Sequence, residues 1–175
     1  MALQTKTYSV GDYAWKSWSN GYVISLTLTE ESVDTVNNTS LISYLFTISN
    51  TDNNRTLSRD CSWTINIGGH TIPINHFDFD LQENFTTLTI ASGQVTVAHN
   101  ADGTLSMPFS APIPNVQNWT STGPPAMSVD GNMDLTPIAV KPTTIPIVFN
   151  GSQLNSIVFN GQHVTQLIYN GTTLY

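Results

Sequence analysis

Charge is scarce in this chain of 175 residues: five Lys plus Arg and twelve Asp plus Glu amount to 10% of it, and the formal net charge is −7. Five cations leave no basic stripe to follow a phosphate backbone or an anionic bilayer, which excludes nucleic acid and membrane surface as partners. Long hydrophobic runs are also missing. Nothing approaches the roughly 18 apolar residues of a membrane-spanning helix, and residues 1–6 lack the charged-then-apolar opening of a signal peptide, so cytoplasmic synthesis without insertion is expected. The single cysteine, Cys61, forms no internal disulfide and holds no zinc by itself; beside Ser62 and Trp63, with nothing near to activate a thiolate, it reads as a small core residue.

Catalytic signatures are absent as well. No Gly-x-Ser-x-Gly, His-Glu-x-x-His, Cys-x-x-Cys or phosphate-cradling glycine loop occurs. Glycoside hydrolysis needs only two carboxylates, which Asp78, Asp80 and Glu83 supply on paper, but none of them sits in the apolar surroundings that a general acid requires. The expectation is a protein that is not an enzyme and uses no cofactor or metal.

What the chain has instead is 24 Thr, 17 Ser and 17 Asn, a polar but uncharged third of its residues that favours strands over exposed helices. Apolar residues recur at every second position. Tyr22, Ile24, Leu26 and Leu28 alternate with Val23, Ser25, Thr27 and Thr29, as in a half-buried strand. Residues 41–49 carry large side chains on both faces and are expected in the middle of a sheet. Trp63, Ile65 and Ile67 lead into Gly68-Gly69 and a hairpin returning through Ile74, with a further segment at Phe77, Phe79 and Leu81. Residues 86–91 and 95–97 flank a break at Ser92-Gly93, and Asn100-Ala101-Asp102-Gly103 is a turn before Leu105, Met107 and Phe109. Residues 112–126, rich in Pro, form a loop around Trp119, and a last strand is expected over 133–138. Eight or nine short strands with turns every 8 to 12 residues predict an all-β, antiparallel β-sandwich of jelly-roll-like type over residues 1–140.

The prolines of 141–146 mark a linker. Beyond it, Ile147-Val148-Phe149-Asn150-Gly151, Ile157-Val158-Phe159-Asn160-Gly161 and Leu167-Ile168-Tyr169-Asn170-Gly171 repeat with a period of ten. Asn-Gly between β-formers is a type I′ hairpin signal, so residues 147–175 are expected to form a four-stranded meander, with Ile147 opposite Leu154, Ile157 opposite Val164 and Leu167 opposite Leu174. Such a sheet is apolar on both faces, which suits attachment to the first domain or homo-oligomerisation.

The run from Leu88 through Ser92-Gly93 and His99-Asn100-Ala101-Asp102-Gly103-Thr104 to Ser106 resembles minor structural proteins of tailed phages that infect Gram-positive bacteria. Residues 132–138 are similar to the strand that ends their domain, and isoleucine-rich Asn-Gly repeats are common near the ends of phage tail and adhesion proteins. The resemblance implies a virion or tail location and other phage tail proteins as partners. It also implies a carbohydrate-binding module that meets host cell-wall polysaccharide, or else a purely structural tail, neck or baseplate decoration protein.

The residues offer a sugar platform of the right chemistry. Tyr13, Trp15 and Trp18 crowd the N-terminal region, and Trp119 sits with Asn118 in the Pro-rich loop; aromatic faces stack on sugar rings while Asn and Asp hold ring hydroxyls. Packing at the sandwich edge is the alternative for Trp15 and Trp18. His76, Asp78 and Asp80 share a strand face, where Asp78 is the candidate sugar contact; a solvated face is favoured over a calcium site, which draws carbonyls from a loop too. His99 is expected to cap its turn.

Overall fold

Alternating apolar residues build two four-stranded antiparallel sheets in a computed structural model, which describes residues 2–12, 21–50, 56–81, 87–114 and 126–139 and six short strands beyond. Eight strands come first: β1 (Gln4–Asp12), β2 (Tyr22–Asp34), β3 (Thr39–Asn50), β4 (Thr56–Ile67), β5 (His70–Leu81), β6 (Thr87–Ala98), β7 (Ser106–Ile113) and β8 (Met127–Asp134). One sheet has the order β1-β2-β3-β6 and the other β5-β4-β7-β8. Their facing sides form one core that includes Ile24, Leu26, Ile42 and Phe46 from the first sheet and Ile65, Phe79, Met107 and Val129 from the second.

The antiparallel sandwich is the fold that the period-two pattern predicts, and the strand order refines the jelly-roll-like expectation. Leaving β1 aside, β2-β3-β6 against β5-β4-β7-β8 is a Greek key of immunoglobulin type, with β1 added at one edge. Residues 41–49 are central, as expected, since β3 lies between β2 and β6.

Three strand boundaries differ from the sequence reading. β5 is one strand through Leu81, β6 runs unbroken through Ser92-Gly93, and β8 starts at Met127 rather than at 133, with residues 135–139 outside any strand. The glycines account for two of these. Gly93 pairs with Tyr44 and Gly131 with Phe109, and a Cβ on either would lie within 3 Å of the facing ring. Each glycine makes room for an aromatic side chain inside a strand; at Gly93 the sequence pattern reads a break, and at Gly131 it starts the strand only at 133.

The chain divides into two compact units, Met1–Ala139 and Val140–Tyr175. In the second, β9 (Val148–Phe149) pairs with β10 (Ser152–Gln153), β11 (Val158–Phe159) with β12 (Gln162–His163), and β13 (Ile168–Tyr169) with β14 (Thr172–Thr173). Phe149 faces Ser152, Phe159 faces Gln162 and Tyr169 faces Thr172, so each pairing brackets one Asn-Gly pair in the expected register. Among the described residues these pair as three two-stranded hairpins, and the segments that would join them into the expected four-stranded meander, 154–157 and 164–167, lie outside the described residues. An Asn-Gly turn dictates pairing only across itself, and nothing in it joins one hairpin to the next. The expected partners at Ile147, Leu154, Ile157, Val164, Leu167 and Leu174 lie outside the described residues.

The β4–β5 turn supplies a direct test of packing. Gly68 has φ 57°, and a Cβ there would stand 2.4 Å from Val97 Cγ1; Gly69 has φ 83° and open space around it. Gly69→Ala is expected to cost about 1–2 kcal/mol for left-handed backbone alone, and Gly68→Ala about 1–3 kcal/mol more for the clash. Urea unfolding midpoints check this, and equal costs would contradict it.

Candidate functional site

The connections between strands sort into two ends. β1 and β2 join where Asp12 faces Tyr22, and Asn50, the last residue of β3, faces that same Tyr22. Residues 51–55 link β3 to β4 and residues 82–86 link β5 to β6, and six extended steps reach at most roughly 22 Å. A twelve-residue strand spans about 40 Å, so each link joins strand termini at one end of the sandwich. Ile113 faces Met127 at this same end, because β7 runs antiparallel to β4 from Ile67↔Phe109. Four connections, 13–21, 51–55, 82–86 and 114–126, therefore leave strand termini gathered at one end.

Of the six residues predicted from sequence, five fall in those connections: Tyr13, Trp15, Trp18, Asn118 and Trp119 lie outside the described residues. Asp78 is described. It sits near the end of β5, exposed, in a patch the sequence pattern only half reveals. The β4–β5 ladder slips twice, between Ser58 and Cys61 and between Cys61 and Trp63. At the slips stand Asp60 and His76, with φ 60° and 53°.

Left-handed backbone is rare outside glycine, and Asp and His are among the residues that tolerate it. Three contacts hold the bulges. Asp60 N–H donates to Asp78 Oδ1 at 2.9 Å, His76 N–H donates to Ser62 Oγ at 3.1 Å, and the His76 ring meets the Asp60 carboxylate. Both side chains of that last pair are more than 70% exposed, so it adds little stability. One Asp78 oxygen is thus committed to shaping the bulge. Beneath the patch, Trp63 stacks on Phe79 at 5.7 Å, and Phe77 meets both rings edge-on. Asp60 and Ser62 carry no sequence signal, since bulges leave none beyond a lapse in alternation. Among the described residues no group of three or more His, Cys, Asp or Glu is placed to hold a metal ion.

The opposite end is closed by hydrogen bonds. Glu30 and Ser40 are 0% exposed and His99 8%. Glu30 Oε2 accepts from Gln4 Nε2 at 2.8 Å, Thr136 Oγ1 at 2.8 Å and Thr136 N–H at 3.0 Å, while Oε1 accepts from Ser40 Oγ at 2.8 Å. Burial pushes the carboxyl upward, but the bonds from Gln4, Thr136 and Ser40 outweigh it and hold Glu30 below the usual glutamate range. Ser40 Oγ meets His99 Nε2 at 2.7 Å, and His99 Nδ1 meets Gly103 O at 2.9 Å. His99 caps its turn as expected, and it also reaches Ser40.

The cluster has the residue types of a hydrolytic triad in the wrong order. Serine stands between carboxylate and imidazole, buried, whereas a nucleophilic serine is exposed and the imidazole lies between. Its one sequence signal is Glu30 on the apolar side of the β2 alternation.

The outer face of the first sheet carries paired hydroxyls: Thr5–Thr29 at 3.0 Å, Thr7–Thr27 at 2.9 Å, Ser9–Ser25 at 2.7 Å and Ser49–Thr87 at 2.8 Å. Eight of the 41 Ser and Thr residues stand here, in cross-strand pairs that suit a solvated face.

A family model described as "Siphovirus protein of unknown function" (DUF859) matches residues 13–159. No curated protein and no solved structure matches.

The bulges allow a test of backbone strain. His76→Asn is expected to unfold within about 1 kcal/mol of the native protein, because only an exposed pair is lost, whereas His76→Val should cost about 1–3 kcal/mol more, since a β-branched residue resists positive φ. Urea unfolding of both variants distinguishes them, and equal stabilities would refute the strain.

Proposed function

This chain belongs to the siphovirus family whose model matches residues 13–159, and from that premise we propose that it is a noncatalytic virion accessory protein that binds host cell-wall saccharide. One observation carries the reading: the strand termini that flank Tyr13, Trp15 and Trp18, and those that flank Asn118 and Trp119, lie at the same end of the sandwich. Two stretches about 100 residues apart in sequence, each supplying the aromatic and amide groups that a sugar platform needs, are thereby tethered to one rim.

By strand order, 51–55 and 114–126 correspond to two of the loops that carry the recognition surface of immunoglobulin variable domains, an analogy of fold alone. Asp78 and the bulged patch adjoin the same rim. The net charge of −7, with only five Lys plus Arg, fits an uncharged, polyhydroxylated ligand better than a phosphate polymer.

The second unit supports attachment. In this reading residues 147–175 join the protein to tail proteins or to further copies of itself. Many copies on one particle raise the effective concentration of the second and later contacts, so a weak single site suffices.

The test uses the full-length, fluorescently labelled protein on intact Gram-positive host cells and on purified wall polysaccharide, beside Trp119→Ala. Saturable binding that falls at least tenfold in the variant is expected. Binding that the variant retains in full would move the site away from Trp119, and the absence of binding on any host tested would favour a structural decoration protein. Release of reducing sugar would contradict the noncatalytic reading.

A further inference from the structure

The closed end contains more acceptors than its neutral groups can satisfy. His99 Nδ1 faces the Gly103 carbonyl, which only accepts, so Nδ1 carries a hydrogen. Ser40 has one hydroxyl hydrogen, and its oxygen contacts both Glu30 Oε1 at 2.8 Å and His99 Nε2 at 2.7 Å. If the hydroxyl donates to Glu30, then Nε2 must donate to Ser40; if it donates to Nε2, then Glu30 must donate to Ser40. A neutral imidazole with its hydrogen on Nδ1 and an ionised carboxylate leave one of these two contacts with no hydrogen. Three contacts need three hydrogens, and the neutral groups bring two.

We propose that Glu30, Ser40 and His99 form a buried proton-binding site, occupied in the folded protein, that locks the closed end of the sandwich. The hydrogen sits on Nε2. Glu30 already accepts from Gln4 and twice from Thr136, an arrangement that suits a carboxylate and not a carboxylic acid. The site is then an imidazolium and a carboxylate joined through a serine hydroxyl, and its net charge is zero.

Among the described residues the surroundings supply no other cation. Gln4 and Lys6 belong to the same strand, but Lys6 is exposed and Gln4 alone reaches Glu30. From the far side, the Asp134 carbonyl takes the second Gln4 hydrogen while its carboxylate takes Ser106 Oγ–H. Asp102 is occupied by Thr104, and Glu31 accepts from Ser43. The Asn38 carbonyl takes the His99 N–H, and Asn38 Nδ2 donates to the His99 carbonyl. With Glu30 ionised, the imidazolium is the charge that compensates it.

The unfolded chain lacks this arrangement. Above about pH 6.5 a free histidine is neutral and a free glutamate ionised, so unfolding releases the third proton. The folded state therefore binds more protons than the unfolded one, and stability falls as pH rises, by up to tenfold in the folding constant per pH unit. Below about pH 6.5 both states hold the proton, and this dependence vanishes.

Glu30→Gln separates the proposal from a merely structural role. The amide introduced by that substitution donates to Ser40 Oγ, the hydroxyl then donates to a neutral His99 Nε2, and the amide oxygen still accepts from Gln4 and Thr136; every contact is kept without an added proton. Urea unfolding between pH 6 and 9 on both proteins is the experiment, and the difference between them cancels the other histidines. The wild-type folding constant is expected to lose roughly tenfold per pH unit relative to Glu30→Gln across pH 7–8. Parallel curves would overturn the proposal. Imidazole nitrogen NMR of folded wild-type protein near pH 7 reads the same site without a variant: two N–H groups on His99 support it, and one N–H contradicts it.

Discussion

A carboxylate with no exposed surface needs donors from wherever the chain can bring them, and in this protein that requirement gathers one whole end of the fold. Glu30 takes hydrogen bonds from β1, from β3 and from the segment after β8, and through Ser40 and His99 it reaches the turn that follows β6. Leaving such a group unpaired would cost several kcal/mol, more than most single apolar contacts return. The N-terminal strand, which continues no Greek key, is anchored here by Gln4 and further along by Tyr8, whose ring lies 4.5 Å from Phe109 and whose hydroxyl donates to the Asn132 carbonyl.

With one end closed in this way, the two longest connections of the sandwich, 13–21 and 114–126, gather at the other. Its four connections join strand termini whose positions the two sheets already determine. Sandwich folds place recognition on such rims for this reason: the scaffold supplies position and the loops supply chemistry. The siphovirus family match says nothing of a ligand, which is argued from the residue types alone.

Much of the fold was legible in the sequence. The alternation from Tyr22 to Leu28, the central place of residues 41–49, the Gly68-Gly69 hairpin and the Asn-Gly registers follow from periods and turn chemistry, which act over a few residues. Features that depend on contacts across sheets were not legible. Gly93 read as a break because the Tyr44 ring that covers it is distant in sequence, the strand around Gly131 was read only from 133, and the unbroken β5 was hidden by a bulge at His76. Of the site, the residue types were readable but not their company: Asp60 and Ser62 join Asp78 and His76 only through a ladder slip, and Glu30, Ser40 and His99 meet across 10 and 59 positions.

The division of the sandwich into a recognising rim and a closed end is tested most directly by amide hydrogen exchange of the full-length protein with and without wall polysaccharide. Saccharide is predicted to slow exchange near residues 12–22 and 113–127 and to leave residues 99–105 unchanged. Protection confined to 99–105, or to the hydroxyl-lined outer face of the first sheet, would contradict it.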